Sequence, residues 1–130
     1  MQRCAFCCST ILFLLAYGCS QQPKTLASQL GNADRLVATN RGSSAVVSLS
    51  GEEVKQLVRT VVSAKRDRNK YAAIFDWEIR FYSGSNFLTA IYLQDRVFRS
   101  DGGQYSDETG VLKAFYDGVL RDASARSLSP

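Results

Sequence analysis

Asp76 and Glu78 stand two residues apart, the spacing that puts two carboxylates on one face of a β-strand. Paired carboxylates can do acid–base work, as in glycosidases. Neighbours along one strand, however, project side by side rather than across a substrate. Arg80 extends the row and can pair with Glu78, so the row reads as a solvated sheet face. Asp95, Asp101 and Asp107 recur at six-residue spacing near glycines. A calcium loop needs oxygen donors at alternating positions, and here Arg96, Val97, Phe98 and Arg99 intervene. Turn chemistry and a helix cap account for these three aspartates, and no metal site is predicted.

The sequence contains no histidine, which removes the commonest general base and transition-metal ligand. Its four cysteines, Cys4, Cys7, Cys8 and Cys19, all lie within the first nineteen residues. There is no Gly-x-Ser-x-Gly elbow and no phosphate- or dinucleotide-binding glycine fingerprint. No catalytic residue is nominated, no cofactor is expected, and the reading is non-enzymatic.

Two sets of side chains suit binding instead. Lys65, Arg66 and Arg68, with Lys70, form the densest basic cluster. It reads first as a charged helix end, and second as a contact for anionic lipid, surface polysaccharide or an acidic partner. Among the aromatics Trp77, Tyr82, Tyr92 and Tyr105, most are expected in the core. Tyr82 falls on the polar side of its strand, while Tyr92 lies in a strand apolar on both sides. With Arg80 these two tyrosines would make an interface anchor set. The net charge of +4 comes without a nucleic-acid motif or a long Lys/Arg run, and no nucleic-acid partner is expected.

These residues must be held by ordinary elements. At 130 residues, 45% apolar and 22% charged, the chain has the size and composition of one globular domain. Ala33 to Asn40 and Ala45 to Leu49 read as a hairpin around Asn40, Arg41, Gly42 and Ser43. Ser50 and Glu53 have capping-box spacing. Val54, Leu57, Val58, Val61 and Val62 then follow as a helical stripe, closed by Lys65 and Arg66. Ile74 to Tyr82 alternates, with Phe75, Trp77, Ile79 and Phe81 on one side and Asp76, Glu78, Arg80 and Tyr82 on the other. Strands follow over Phe87 to Leu93 and Arg96 to Arg99, and a helix over Glu108 to Arg121 behind an Asp107 cap. The order β-β-α-β-β-β-α predicts an α+β two-layer sandwich, mainly antiparallel, with two amphipathic helices on one face. Residues 33–122 form the single domain, and 123–130 are expected to fray.

The first residues carry an address. Arg3 precedes an apolar stretch from Ala5 to Tyr17, too short to span a bilayer well. Leu15-Ala16-Tyr17-Gly18-Cys19 resembles the lipobox that ends the signal peptides of bacterial lipoproteins. The resemblance implies that residues 1–18 are removed and that Cys19 is lipidated as the mature N-terminus, with 19–32 as a spacer. It also implies a membrane partner through the lipid anchor and a cell-envelope location, at the outer membrane if the cell is diderm, since Ser20 is not Asp. Ala16-Tyr17-Gly18 also fits ordinary cleavage, which would leave the protein secreted or periplasmic; an uncleaved anchor is the third alternative. The expected function is a tethered, non-enzymatic module binding an envelope protein or polysaccharide. The alternative is an inhibitor or immunity-type protein acting on a secreted hydrolase through the Ser83 to Asn86 loop.

Overall fold

The computed structural model describes residues 26–69, 75–101 and 103–128. The expected signal peptide, Cys19, Lys70 and Ile74 lie outside them. The fold is the expected α+β class, an open antiparallel sheet with one face under helices. In chain order the elements are α1 (Leu26–Leu30), β1 (Arg35–Asn40), β2 (Val46–Ser50), α2 (Glu52–Ser63), β3 (Lys65–Arg66), β4 (Trp77–Ser83), β5 (Asn86–Gln94), β6 (Val97–Ser100), β7 (Gly103–Ser106), α3 (Val111–Phe115), a π-helical segment (Tyr116–Leu120) and α4 (Arg121–Leu128). The strands order as β2-β1-β4-β5-β6-β7-β3, every neighbouring pair antiparallel.

Alternation sorts the side chains between two faces. Across the sheet, Leu36, Ala38, Ile79, Phe81, Ile91, Leu93 and Phe98 turn to one side with Trp77, and all are buried. Leu30 from α1, Val54, Leu57 and Val61 from α2, and Leu112, Phe115 and Leu120 from the C-terminal helix complete that core. Each large side chain taken out of water there contributes roughly 1.5–3 kcal/mol. α1 therefore belongs to the domain rather than to a spacer, because Leu30 is fully buried.

The hairpin closes as its residues require. Asn40 is buried, and its Oδ1 accepts the N–H groups of Gly42 and Ser43, both at 2.8 Å. Ser50 does not cap α2. It is still paired with Arg35 in the sheet, and Gly51, at φ 71°, turns the chain into the helix with no side-chain cap. Glu52 and Glu53 instead oppose the positive end of the dipole. Of the predicted stripe, Val54, Leu57 and Val61 are buried, while Val62 is 38% exposed. Lys65 and Arg66 do not close the helix either. Ala64 is already extended, and the two cations pair with Ser106 and Tyr105 of β7. A two-residue Lys-Arg strand guards that sheet edge against further pairing.

The C-terminal helix starts later and ends later than expected. Asp107 holds its start: Oδ2 accepts the Leu112 N–H at 3.0 Å, and Oδ1 accepts the Thr109 N–H and hydroxyl at 2.9 and 2.7 Å. The helix then runs through to Leu128 instead of fraying after Asp122, with Ala123 packed against the core and Ser124 meeting the Ser43 hydroxyl. Within the π segment, side chains five apart share a face. Leu120 therefore follows Phe115 into the core, and Val119, which α-helical spacing assigns to the stripe, is 42% exposed.

Candidate functional site

The face away from the helices is built from register. Arg35 on β1 lies opposite Tyr82, which lies opposite Phe87 on β5. Next along the strands come Val37, Arg80 and Ala90. Then come Thr39, Glu78, Tyr92 and Arg99, with Gln104 beyond. A β-bulge between Phe81 and Tyr82 sets this row of aromatics. Phe81 opposes Thr89, but Tyr82 opposes Phe87, so Leu88 is the extra residue. Strict alternation would send Phe87 inward with Thr89, Ile91 and Leu93. The bulge sends it outward instead, 54% exposed, with its ring edge-on to Tyr82 at 5.8 Å.

Arginines lie over the rings. The guanidinium carbon of Arg35 is 4.3 Å from the Tyr82 ring centre, Arg80 is 5.5 Å from Phe87, Arg41 is 5.7 Å from Tyr92 and Arg99 is 4.5 Å from Phe75. Such contacts add electrostatic attraction to the ring quadrupole and hold long side chains in one orientation. Arg80 also donates from Nε to Glu78 Oε1 at 2.7 Å, and this bond is the main reason its pKa is raised. Arg99 donates to Gln104 Oε1 at 3.2 Å, and Gln104 donates to the Asn69 carbonyl at 2.8 Å. The arginines are thus fixed in place while their solvent-facing N–H groups stay exposed.

The predicted binding residues fall into two groups. Arg80, Tyr82 and Tyr92 come together on this face, and Tyr92 is 38% exposed. Lys65, Arg66 and Arg68 line a groove of about 510 Å³ with Arg96 at the far end of the sheet. Lys65 pairs there with Glu108 at 3.3 Å, both well exposed. Register places Lys65 in a row with Ser106, Val97 and Gln94, on the same face as Arg99. Lys65 therefore continues the open face, whereas Arg66, opposite Tyr105, leaves β3 on its other side. Trp77 and Tyr105 lie on the core side, Tyr105 stacked on Phe98 at 5.4 Å.

Asp76 and Phe75 have exchanged the faces expected of them. β4 begins only at Trp77, so alternation does not carry back past it. Phe75 packs against Arg99 on the open side, and Asp76 turns under the helices. There its Oδ2 accepts the Tyr116 hydroxyl at 2.8 Å, while its Oδ1 is buried without a hydrogen-bond partner among the described residues. Burial first, and then the Asp76 carboxylate, push the Tyr116 phenol up to about 12. Asp76 and Glu78 thus do not form a carboxylate pair. The other acidic candidates do structural work. Asp95 makes a turn at φ 57° and binds Lys113 at 2.8 Å, and Asp107, expected as the N-cap, stands three residues before the actual N-cap Gly110 and accepts the Leu112 N–H from there. For Asp107, burial alone raises the carboxyl, but the bonds from Leu112 and Thr109 outweigh it and lower the pKa. Among the described residues no three His, Cys, Asp or Glu side chains gather to hold a metal ion.

Arg35, Arg41, Phe87 and Arg99 are members of the face that sequence reasoning missed. Arg35 was within reach, since Leu36 and Ala38 define the inward side of β1. Phe87 was not, because the bulge reverses it. Ser83 to Asn86 forms a two-residue turn at Gly84 and Ser85, and the Gly84 N–H is held by the Asp34 carboxylate at 3.0 Å. No family model matches the chain, nor does any curated protein or solved structure.

Proposed function

We propose that the protein is a lipid-anchored component of a bacterial envelope, tethered through Cys19, whose domain is a non-enzymatic binding module working through its open sheet face. The lipobox-like Leu15 to Cys19 supports the tether. Among the described residues no helix is long and apolar enough to cross a membrane. The observation that carries the binding role is this face, open among the described residues: arginines pinned over aromatic rings beside the exposed Phe87 and Tyr92. Aromatic and arginine side chains are enriched at interfaces relative to the rest of a protein's surface.

Two measurements test the reading. Cells fed an alkynyl fatty acid should yield labelled full-length protein, and Cys19→Ser should abolish the label. An unmodified initiator methionine on the native protein ends the envelope account. A photo-cross-linker placed at Tyr92 should capture a discrete envelope component, with capture lost in Arg80→Ala/Tyr82→Ala. Capture unchanged by that double substitution removes the open face from the function.

A further inference from the structure

The open face is a strip rather than a patch, and we infer that it binds an acidic polysaccharide, a chain whose sugars carry carboxylates. The inference rests on the binding-module reading and names its ligand class. Cations run diagonally from Arg35 on β1 through Arg80 and the Arg41–Tyr92 pair to Arg99, and end in the groove with Arg96 and Lys65. From β1 to β3 the strip crosses five strand-to-strand gaps, a width of roughly 24 Å at about 4.8 Å each. Carboxylates lie along it too: Asp34 holds the Gly84 N–H beside Arg35, Glu78 and Glu108 are bonded to Arg80 and Lys65, and Asp67 lines the groove. Cations still outnumber carboxylates over the strip, through Arg41, Arg99 and Arg96, which complements an extended polyanion.

Three features select the class. The guanidinium is a planar fork that matches a carboxylate with two parallel N–H bonds, and arginines already held against rings lose little freedom on binding. Each ring has an arginine over one face. This obstructs the ring stacking on which sequence-independent single-stranded nucleic-acid binders depend. The strip also crosses the strands instead of following an edge, so it offers an incoming peptide no backbone ladder. A uronate chain needs neither: its carboxylates meet guanidinium N–H groups, and its hydroxyls meet the Tyr82 and Tyr92 phenols.

The test uses the full-length protein in neutral detergent micelles and sodium polygalacturonate as probe, read by isothermal titration calorimetry. Neutral dextran, poly-glutamate and oligo(dT) are run in parallel. Polygalacturonate should bind with an affinity that falls as salt rises, and dextran should not bind. Arg80→Ala/Arg99→Ala should weaken binding roughly tenfold and flatten the salt dependence. Phe87→Ala, which removes a positioning ring and no charge, should weaken binding less and leave the salt slope unchanged. The inference is overturned if polygalacturonate does not bind, if poly-glutamate or oligo(dT) binds tighter, or if the double variant binds like wild type while its circular dichroism is unchanged. Failure here together with capture at Tyr92 would leave the module intact with another ligand. Failure of both would remove the module itself.

Discussion

The two faces of this sheet are written in the same strands and obey opposite rules. On the helix side Trp77, Ile79 and Phe81 are almost fully buried, and every neighbour is a packed side chain. On the open side Glu78, Arg80 and Tyr82 alternate with them along the same backbone, and their contacts are charge on ring and charge on charge at the surface. The first face holds the fold through displaced water and close packing. The second contributes little to folding, because exposed ion pairs and rings gain little there. What it retains is a fixed arrangement of side chains, which is what the proposed binding role requires.

Substitutions should separate the faces sharply. Trp77→Ala is expected to be the most damaging, at about 3–5 kcal/mol in urea unfolding, because it leaves a cavity at the centre of the core. Asp107→Ala should follow at about 2 kcal/mol, since it strands the Leu112 and Thr109 N–H groups at the start of the helix. Asp107 also carries a pH signature. A carboxyl lowered in the folded state stabilises above its unfolded pKa, and that contribution is lost as pH falls through the folded value. Acid unfolding should therefore begin at higher pH for wild type, relative to its own neutral stability, than for Asp107→Asn.

Tyr116→Phe is expected to lose about 1 kcal/mol near neutrality, by calorimetric or urea unfolding, with the loss of one hydrogen bond to Asp76. Its sign in alkali is the reverse of the Asp107 case. A phenol raised to about 12 favours the folded state at lower pH, and that advantage fades as pH climbs from the ordinary tyrosine value through the folded one. Tyr116→Phe should lack this alkaline component. Arg80→Ala should move the thermal midpoint least of all, within measurement scatter. A large loss there would break the contrast between the faces, because it would give the open side a share in holding the fold.

Much of this contrast was legible in the residues. Trp77, Ile79 and Phe81 alternating with Glu78, Arg80 and Tyr82 announced a half-wet strand, and the helical stripe from Val54 to Val62, with a second amphipathic helix over Glu108 to Arg121, announced what covers it. The losses came where a local rule was carried past its element. Phe75 and Asp76 followed the alternation of β4 on paper, yet the strand starts after them. Lys65 and Arg66 extended a helix that had ended at Ser63. β7, with Gly103-Gln104-Tyr105-Ser106, has no β-branched residue to mark it as a strand. The site was legible in part for a similar reason. Arg80 and Tyr82 sit on one strand, whereas Arg35, Phe87 and Arg99 join them only through pairing register and one bulge.

The π segment gives the C-terminal helix one more residue than its packing needs. Gly118 sits in it with open space where a side chain would be, and Phe115 and Leu120 anchor it on either side. Removing Gly118 would bring those anchors to four apart, the separation that keeps two residues on one face of an ordinary α-helix. A chain lacking the exposed Gly118 is thus expected to keep both anchors on one helix face, and its thermal unfolding would show whether the extra residue matters to the core.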